Sequence, residues 1–263
     1  MSAPLAGLTV VVTRPQRQAG PFIARATQAG AACIALPAID IEPVTLDAAE
    51  RLRLRPDAHD WTIYTSANTI DASLEQLGRP ERCRVAAVGR ATSRALEARG
   101  IAVHAIPEGR YDSEGLLALA AFAAPAGQRI LILRGEGGRE LLREQLQARG
   151  ATVTVGELYR RRRGESAPGA LEAIESALAA KPGALVVAVT SVEVLDGLLE
   201  LLPATLAAQL RAQPLLLPGE RVAEAARARQ WAGPLLVAAS AEDASMLAAL
   251  ESHARARGGP SAA

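Results

Sequence analysis

Hydroxyl side chains occur at three places where an apolar run gives way to a helix-like run, and there they could bind an anion. Ser66 lies in YTSANT, Thr92 in VGRAT and Ser191 in VTSVE. Hydroxyls and exposed backbone N–H groups at helix N-termini bind carboxylates. The hydroxyls could equally cap the helices that follow them, and one residue can do both. These turns therefore predict an anion site but leave its chemistry open.

A tyrosine followed by four arginines, in ELYRRRR (157–163), is the densest cluster of reactive and charged side chains. The cluster could be a nucleic-acid patch, a substrate clamp or a solvated connector. The chain has 29 basic and 28 acidic residues and 3% aromatic residues. Nucleic-acid binders carry a strong positive excess, so we expect no nucleic-acid partner.

The sequence does not assemble other familiar catalytic groups. Cys33 and Cys83 lack a metal-type spacing and the three histidines occur singly, so we predict no metal site. Neither serine has a nearby His–Asp arrangement, which argues against nucleophilic hydrolysis. The turn RGEGG (134–138) partly matches a dinucleotide fingerprint, but Glu140 replaces its third glycine. Glycines of a tight turn are the simpler interpretation.

The elements that position these residues alternate between short apolar runs and helix-like runs. We predict strands at 8–12, 61–65, 84–89, 130–133, 184–190 and 214–219, and helices at 21–30 and 139–150, among others. This alternation is typical of βαβ units and parallel sheets, which bind ligands beyond the carboxyl ends of their strands.

The chain also reads as two copies of one pattern. Three aligned pairs show it, at spacings of 120, 125 and 130 residues: Arg14 with Arg134, Ser66 with Ser191, and Gly89 with Gly219. Slowly growing spacings are what two diverged copies with small insertions would give. We therefore predict two similar α/β domains with a ligand-binding cleft between them.

Targeting signals and membrane spans are not predicted. The N-terminal apolar run is shorter than a signal-peptide core, and Pro125 interrupts the longest apolar run, which falls short of the ~20 residues needed to cross a bilayer. We expect a cytoplasmic protein with no membrane partner. We also expect the small, polar tail, residues 254–263, to be disordered.

In order along the chain, the motifs resemble those of the uroporphyrinogen-III synthase family. The matching pieces cover nearly the whole chain: VVVTRP, YTSANTI, AAVGRATSRALEARG, SEGLLAL, ILILRGEGGRELLREQLQARGATV, ELYRR and VTSVEVLDGLL. The resemblance implies two flavodoxin-like domains, each a parallel sheet flanked by helices. One domain would combine 1–38 with 165–263, the other would be 42–158, and 37–43 and 157–165 would connect them around an active site in the cleft.

The resemblance also implies a reaction. Hydroxymethylbilane, a linear tetrapyrrole with eight carboxylates, would be cyclised to uroporphyrinogen III with loss of water and inversion of ring D. The protein would then be a hydro-lyase that needs no cofactor or metal, acts on a small molecule and works as a monomer. Tyr159 matches a family tyrosine and would protonate the departing hydroxyl. Alternatively, Tyr159 packs in the hinge and only touches the substrate.

The same mapping predicts the residues that contact substrate carboxylates. They are Arg14, Ser66, Ala67, Asn68, Gly89, Thr92, Arg134, Ser191, Val192, Gly219, Arg221 and Val222. One departure is Val222, which stands where many relatives carry threonine, so backbone amides would have to bind there.

Two rival functions remain open on the residues alone. A two-domain binding or sensor module could close on an anionic small molecule without chemistry. A nicotinamide enzyme would require the RGEGG turn to bind a pyrophosphate.

Overall fold

A computed structural model of the chain describes residues 3–181 and 183–258. The chain forms two compact units. One unit comprises the described residues of Met1–Asp40 and Arg162–Ala263, and the other comprises Ile41–Arg161.

The described residues contain the following elements. The strands are β1 (Thr9–Val12), β2 (Ala32–Ala35), β3 (Ile39–Pro43), β4 (Trp61–Tyr64), β5 (Arg84–Ala87), β6 (Arg129–Gly135), β7 (Thr152–Arg163), β8 (Leu185–Ala188), β9 (Leu215–Pro218) and β10 (Leu235–Ala238). The helices are α1 (Gln16–Gln28), α2 (Ala48–Arg53), α3 (Asn68–Leu77), α4 (Arg90–Glu97), α5 (Ser113–Leu117), α6 (Ala120–Ala123), α7 (Leu141–Ala148), α8 (Ala170–Ala180), α9 (Val192–Leu201), α10 (Ala204–Arg211), α11 (Gly219–Ala228) and α12 (Asp243–Gly258), with a short 3-10 helix at Pro56–Ala58.

The first unit is built on a parallel sheet of order β10-β9-β8-β1-β2. Helices cover both faces of this sheet, so its strands are apolar on both sides. Val11 belongs to one hydrophobic cluster, and Val10 and Val12 belong to the other. The continuous apolar run of β1 follows from this double burial.

The second unit contains a sheet of order β3-β7-β6-β4-β5. Strands β4, β5, β6 and β7 pair in parallel. The pairing of β3 with β7 is bounded by hydrogen bonds from Val44 N–H to Leu158 O and from Gly164 N–H to Ala38 O. Residue numbers rise along β3 while they fall along β7, so these two strands run antiparallel. Both strands continue across the division between the units.

The two sheets confirm the internal repeat. Strands β9-β8-β1-β2 of one sheet and β5-β4-β6-β7 of the other follow one another in the same spatial order. The aligned glycines also agree, because Gly30 and Gly150 follow α1 and α7 with φ of +98° and +86°. In this left-handed conformation, which favours glycine, the chain leaves a helix. The predicted class, two α/β units with mostly parallel sheets flanked by helices, is confirmed.

The observed elements depart from the predicted ones in several places, and one is the start of α1, which begins at Gln16 rather than at residue 21. Strand β7 is 12 residues long and takes in all four arginines of the ELYRRRR segment, whose side chains are exposed. The predicted disorder of the tail is wrong for residues 254–258, which belong to α12. Residues 259–263, the rest of that prediction, lie outside the described residues.

Candidate functional site

The predicted binding residues gather at the carboxyl edge of each sheet. In the first unit β9, β8 and β1 are neighbours, so the turns carrying Gly219, Ser191 and Arg14 lie side by side. In the second unit the neighbours β5, β4 and β6 place the turn containing Gly89 and the turn containing Ser66 next to the end of β6. This edge is where parallel sheets bind ligands.

Ser191 caps the helix that follows it, whereas Ser66 bonds to the backbone just before its helix, whose N-cap is Ala67. Ser191 is the N-cap of α9, and its Oγ accepts a hydrogen bond from Val194 N–H at 3.1 Å. Ser66 Oγ accepts one from Asn68 N–H at 3.2 Å. A hydroxyl that accepts from the backbone still has its own proton to donate. The predicted capping role is therefore confirmed for Ser191 and is wrong for Ser66, and each hydroxyl keeps a proton to donate.

The remaining turn residues lie at the starts of the same two helices. Ala67 precedes α3, and Asn68 and Val192 are the first residues of α3 and α9. Each lies at a helix N-terminus, where backbone N–H groups lack helical partners.

The glycine turns are arranged in a similar way. Gly89 is the N-cap of α4, and Gly219 begins α11 with φ of +71°. Thr92 and Val222 are 5% and 2% exposed, so they mainly pack in the core. Arg221 is exposed in the first turn of α11.

The two aligned arginines already pair with carboxylates of this chain. Arg14 is 8% exposed, forms an ion pair with Asp243, and lies 4.7 Å over the ring of Phe22. Arg134 Nη2 lies 2.6 Å from Glu140 Oε1 and 3.1 Å from Glu157 Oε1. Each guanidinium is thereby fixed in place.

Arg134 also acts on the carboxylate that it binds. Its hydrogen bond to Glu140 holds the pKa of that carboxyl below its usual range. Glu157, the acid that a dinucleotide site would need for its ribose, is likewise taken up by Arg134. The Glu157 carboxylate thus serves an internal ion pair.

Tyr159 lies near the end of the buried part of β7 and is 2% exposed. Its phenol oxygen accepts a hydrogen bond from Arg161 Nη2 at 2.9 Å, and the Arg161 guanidinium lies 5.2 Å from its ring centre. Gly135 lies directly against the ring. The phenol is therefore held in one orientation, and its own proton is still available for donation.

Other titratable groups are structural. Burial raises the pKa of Tyr64 to about 12, and its hydroxyl lies 3.2 Å from Ser73 Oγ in the core. Burial also raises the pKa of the Cys33 and Cys83 thiols, which form no disulfide. Within 3–181 and 183–258, no group of three or more His, Cys, Asp or Glu could hold a metal ion, and no helix could cross a membrane.

Sequence reasoning missed Arg139, Arg143 and Arg161, which lie at the carboxyl edge of the second sheet beside Arg134. In the ELYRRRR segment, the sequence does not distinguish Arg161 from the three other arginines. Its contact with Tyr159 follows from strand geometry, since residues two apart on a strand share a face.

The fold and these turns define a two-unit α/β protein with hydroxyl-bearing turns and helix N-termini at the carboxyl edge of each sheet. The family model described as uroporphyrinogen-III synthase HemD matches residues 21–248. The chain belongs to the uroporphyrinogen-III synthase family.

Relatives and solved structures agree with this assignment. Proteins named uroporphyrinogen-III synthase from Salmonella typhimurium and Escherichia coli are 34% and 32% identical, each over 93% of this chain and 100% of their own length. One from Synechococcus elongatus is 36% identical over 60% of this chain and 62% of its own length. In fold, the chain is similar to the Thermus thermophilus uroporphyrinogen III synthase, with a TM-score of 0.60, 23% identity, and coverage of 95% of this chain and 99% of that chain.

Proposed function

We propose that this chain is a hydro-lyase that cyclises hydroxymethylbilane to uroporphyrinogen III. The hydroxyl of the open tetrapyrrole leaves as water, the resulting azafulvene is attacked by the substituted carbon of ring D, and a spiro intermediate rearranges to the inverted ring. The full-length similarity to proteins named uroporphyrinogen-III synthase carries this proposal.

The strand-end turns of both units bind the acetate and propionate carboxylates. Ser66 and Ser191 donate their hydroxyl protons, and N–H groups in the first turns of α4, α9 and α11 add further donors. Helix N-termini favour anions through their dipole as well as through these donors. Binding of this kind fixes the chain of rings, and the position of ring D decides which carbon reacts.

Arg14 and Arg134 do not contact the substrate in this proposal. Each lies at the carboxyl edge of its own sheet, where the binding turns are, and each forms ion pairs with carboxylates of its own unit. Their ion pairs hold the turns in place. They therefore influence carboxylate binding only through the position of those turns.

Tyr159 donates the proton that lets the hydroxyl leave as water. The C–O bond breaks as the phenol O–H is transferred to the departing oxygen, and the pyrrole nitrogen supplies the electron pair. Arg161, which donates to the same phenol oxygen, stabilises the phenolate left behind. The phenolate is neutralised again by the proton that the product loses.

The Arg161 side chain covers the phenol, because Tyr159 is 2% exposed while Arg161 is exposed. We infer that this side chain moves aside to admit the substrate hydroxyl and returns to the phenol oxygen as the phenolate forms. The Arg161 side chain thus contacts the phenol of Tyr159, and Gly135 lies against its ring.

Isomer analysis tests the proposed reaction directly. The purified protein is incubated with enzymatically generated hydroxymethylbilane, the products are oxidised, and the isomers are resolved by chromatography. Unassisted closure gives the non-inverted type I isomer, so a dominant type III product is expected. Type I alone, at the proportion of a protein-free control, contradicts the proposal.

A further inference from the structure

A pocket of about 340 Å³ opens at the carboxyl edge of the second sheet. Its polar lining includes Thr65, just after β4, and Ser113, the first residue of α5. Within the described residues, every charged side chain that lines it is an arginine: Arg134, Arg139, Arg143 and Arg161. We call it the arginine pocket. Its volume is at the lower end of the range of roughly 300–1,000 Å³ found for small-ligand sites.

Arg139 is more accessible than Arg134 and Arg143, whose side chains are 12% and 42% exposed. Its side chain is 67% exposed, and the nearest carboxylate, that of Glu114, lies 3.6 Å from its Nη1. Glu114 also pairs with Arg110 at 3.3 Å. The Glu114 carboxylate therefore keeps a partner if Arg139 turns to a ligand.

Arg143 forms an ion pair with Glu140. Its Nε lies 2.7 Å from Glu140 Oε2. Glu140 also accepts a hydrogen bond from Arg134 at 2.6 Å through its other oxygen. The Glu140 carboxylate therefore keeps a partner if Arg143 turns to a ligand.

Arg161 joins the arginine pocket to the proposed proton donor. It lines the pocket and donates to the Tyr159 phenol at 2.9 Å. A group bound in the pocket would consequently lie next to the phenol that Arg161 covers.

The geometry points to the arginine pocket as a subsite for an acidic side chain of the substrate, with Arg139 and Arg143 as its main binding residues. This inference rests on the proposed function, because the substrate named there carries eight carboxylates. A guanidinium binds a carboxylate through two parallel N–H bonds, and the carboxylates nearby already have other arginines. Seating one acidic arm here anchors the tetrapyrrole beside Tyr159.

The test compares the double variant, which carries both Arg139→Met and Arg143→Met, with the wild-type chain. We expect the KM for hydroxymethylbilane and the Kd for uroporphyrinogen III, measured anaerobically by calorimetry, to rise by about tenfold. The kcat and the proportion of type III isomer should stay within about twofold, since the pocket anchors the substrate without touching the reacting atoms. Raising the ionic strength should weaken binding more in the wild type than in the variant.

A control for the loss of each charge is Arg82→Met, which removes one positive charge from an exposed residue at the amino edge of that sheet. An unchanged KM and Kd in the double variant, or an equal rise in the control, overturns the inference. So does a loss of kcat with KM unchanged. If the double variant does not fold, Arg139→Met alone serves, because its side chain is 67% exposed.

The isomer analysis separates the two possible failures. Wild-type protein that makes type III product while the variant keeps its KM and Kd contradicts only the subsite. Wild-type protein that makes type I alone contradicts the proposed function. The group bound in the arginine pocket would then not be an acidic side chain of this tetrapyrrole.

Discussion

The ring of Tyr159 occupies the space that a side chain at position 135 would need. A Cβ built on Gly135 would lie 2.4 Å from Cζ and 2.8 Å from the phenol oxygen of Tyr159. The two residues are register partners on neighbouring strands, just after an irregularity in the pairing of β6 with β7. A missing side chain on one strand thus fixes the phenol on the next.

Gly135→Ala is therefore expected to displace Tyr159. Forcing a methyl group into this packed contact should lower the free energy of unfolding by about 1–3 kcal/mol and reduce kcat together with it. Denaturant unfolding and isomer-resolved kinetics measure the two effects. The control is Gly20→Ala in α1, where no neighbour lies within 4 Å of the new Cβ and the change should stabilise by about 0.4–1 kcal/mol. Wild-type kcat in Gly135→Ala would contradict the proposed role of the fixed phenol.

Tyr159→Phe should lower kcat by roughly 10²–10⁴-fold, because the proton donor is removed while the ring keeps its packing. Stability should fall by only about 1 kcal/mol, the worth of the hydrogen bond from Arg161. Tyr111→Phe is the matched control, since it removes a phenol hydroxyl that accepts from Arg90 Nε at 2.5 Å on the surface. Unchanged rate and isomer ratio in Tyr159→Phe would leave Tyr159 a packing residue.

Substitutions of Ser191 separate its cap from its proposed ligand contact. Ser191→Ala should destabilise the chain by about 1 kcal/mol, because α9 loses its N-cap. Ser191→Asp keeps a capping acceptor, so stability should return while KM rises through repulsion of substrate carboxylates. Asp47→Ala provides the control, as it removes the cap of α2 without touching a proposed binding turn. A wild-type KM in Ser191→Asp would limit Ser191 to capping.

The ion pair of Arg14 with Asp243 predicts a stability effect rather than a binding effect. Removing either partner leaves the other nearly buried and unpaired, so Arg14→Met and Asp243→Asn should each lose about 3 kcal/mol. The double variant should lose clearly less than the sum of the two. Urea unfolding of the three variants measures the coupling. Strict additivity, or a KM change without loss of stability in Arg14→Met, would show that Arg14 serves the ligand instead.

His59 predicts how stability depends on pH. Burial lowers the pKa of His59 in the folded chain, where its Nδ1 lies 3.0 Å from Arg55 O. The unfolded chain therefore binds more protons just below the ordinary value of about 6.5, so stability is full above that pH and falls as the pH drops toward the folded value. Melting temperatures between pH 8 and pH 5 should fall less steeply in His59→Gln. Identical slopes would exclude His59 as the cause.

Carboxyl groups do not confuse this experiment. Asp57, Asp112 and Glu140 also have shifted values, but the pKa of each is lowered below its ordinary value of 3.8 or 4.5. Their contribution to stability is consequently lost at a more acidic pH than that of His59.

The buried strands were predictable because periodicity reports burial. The predicted strand at 61–65 and the observed β4 differ by one residue, and the runs at 8–12 and 214–219 contain β1 and β9. Strand β7 was not predictable over its full length, since its last four residues are arginines that face solvent. The four charged residues gave no apolar pattern, although main-chain pairing with β3 makes them part of a strand.

The site was less predictable than the fold. The turns carrying Ser66 and Ser191 could be found from local sequence, because the hydrogen bonds of these hydroxyls act within a few residues. The partner of Arg14 could not, since Asp243 is 229 positions away and is brought to it only by the sheet and α12. The contact of Gly135 with Tyr159 likewise depends on strand register, which no single-residue property reveals.

The split of the first sheet has a consequence for synthesis on the ribosome. Strand β1 pairs with both β2 and β8, and β8 begins only at Leu185, after the whole of the second unit. The nascent chain can complete the unit Ile41–Arg161 while β1 still lacks β8, one of its two neighbours. At roughly 5–20 residues per second, β1 waits about 10–35 seconds for β8. Strand β1 is thus made before the second unit but belongs to the unit that closes after it.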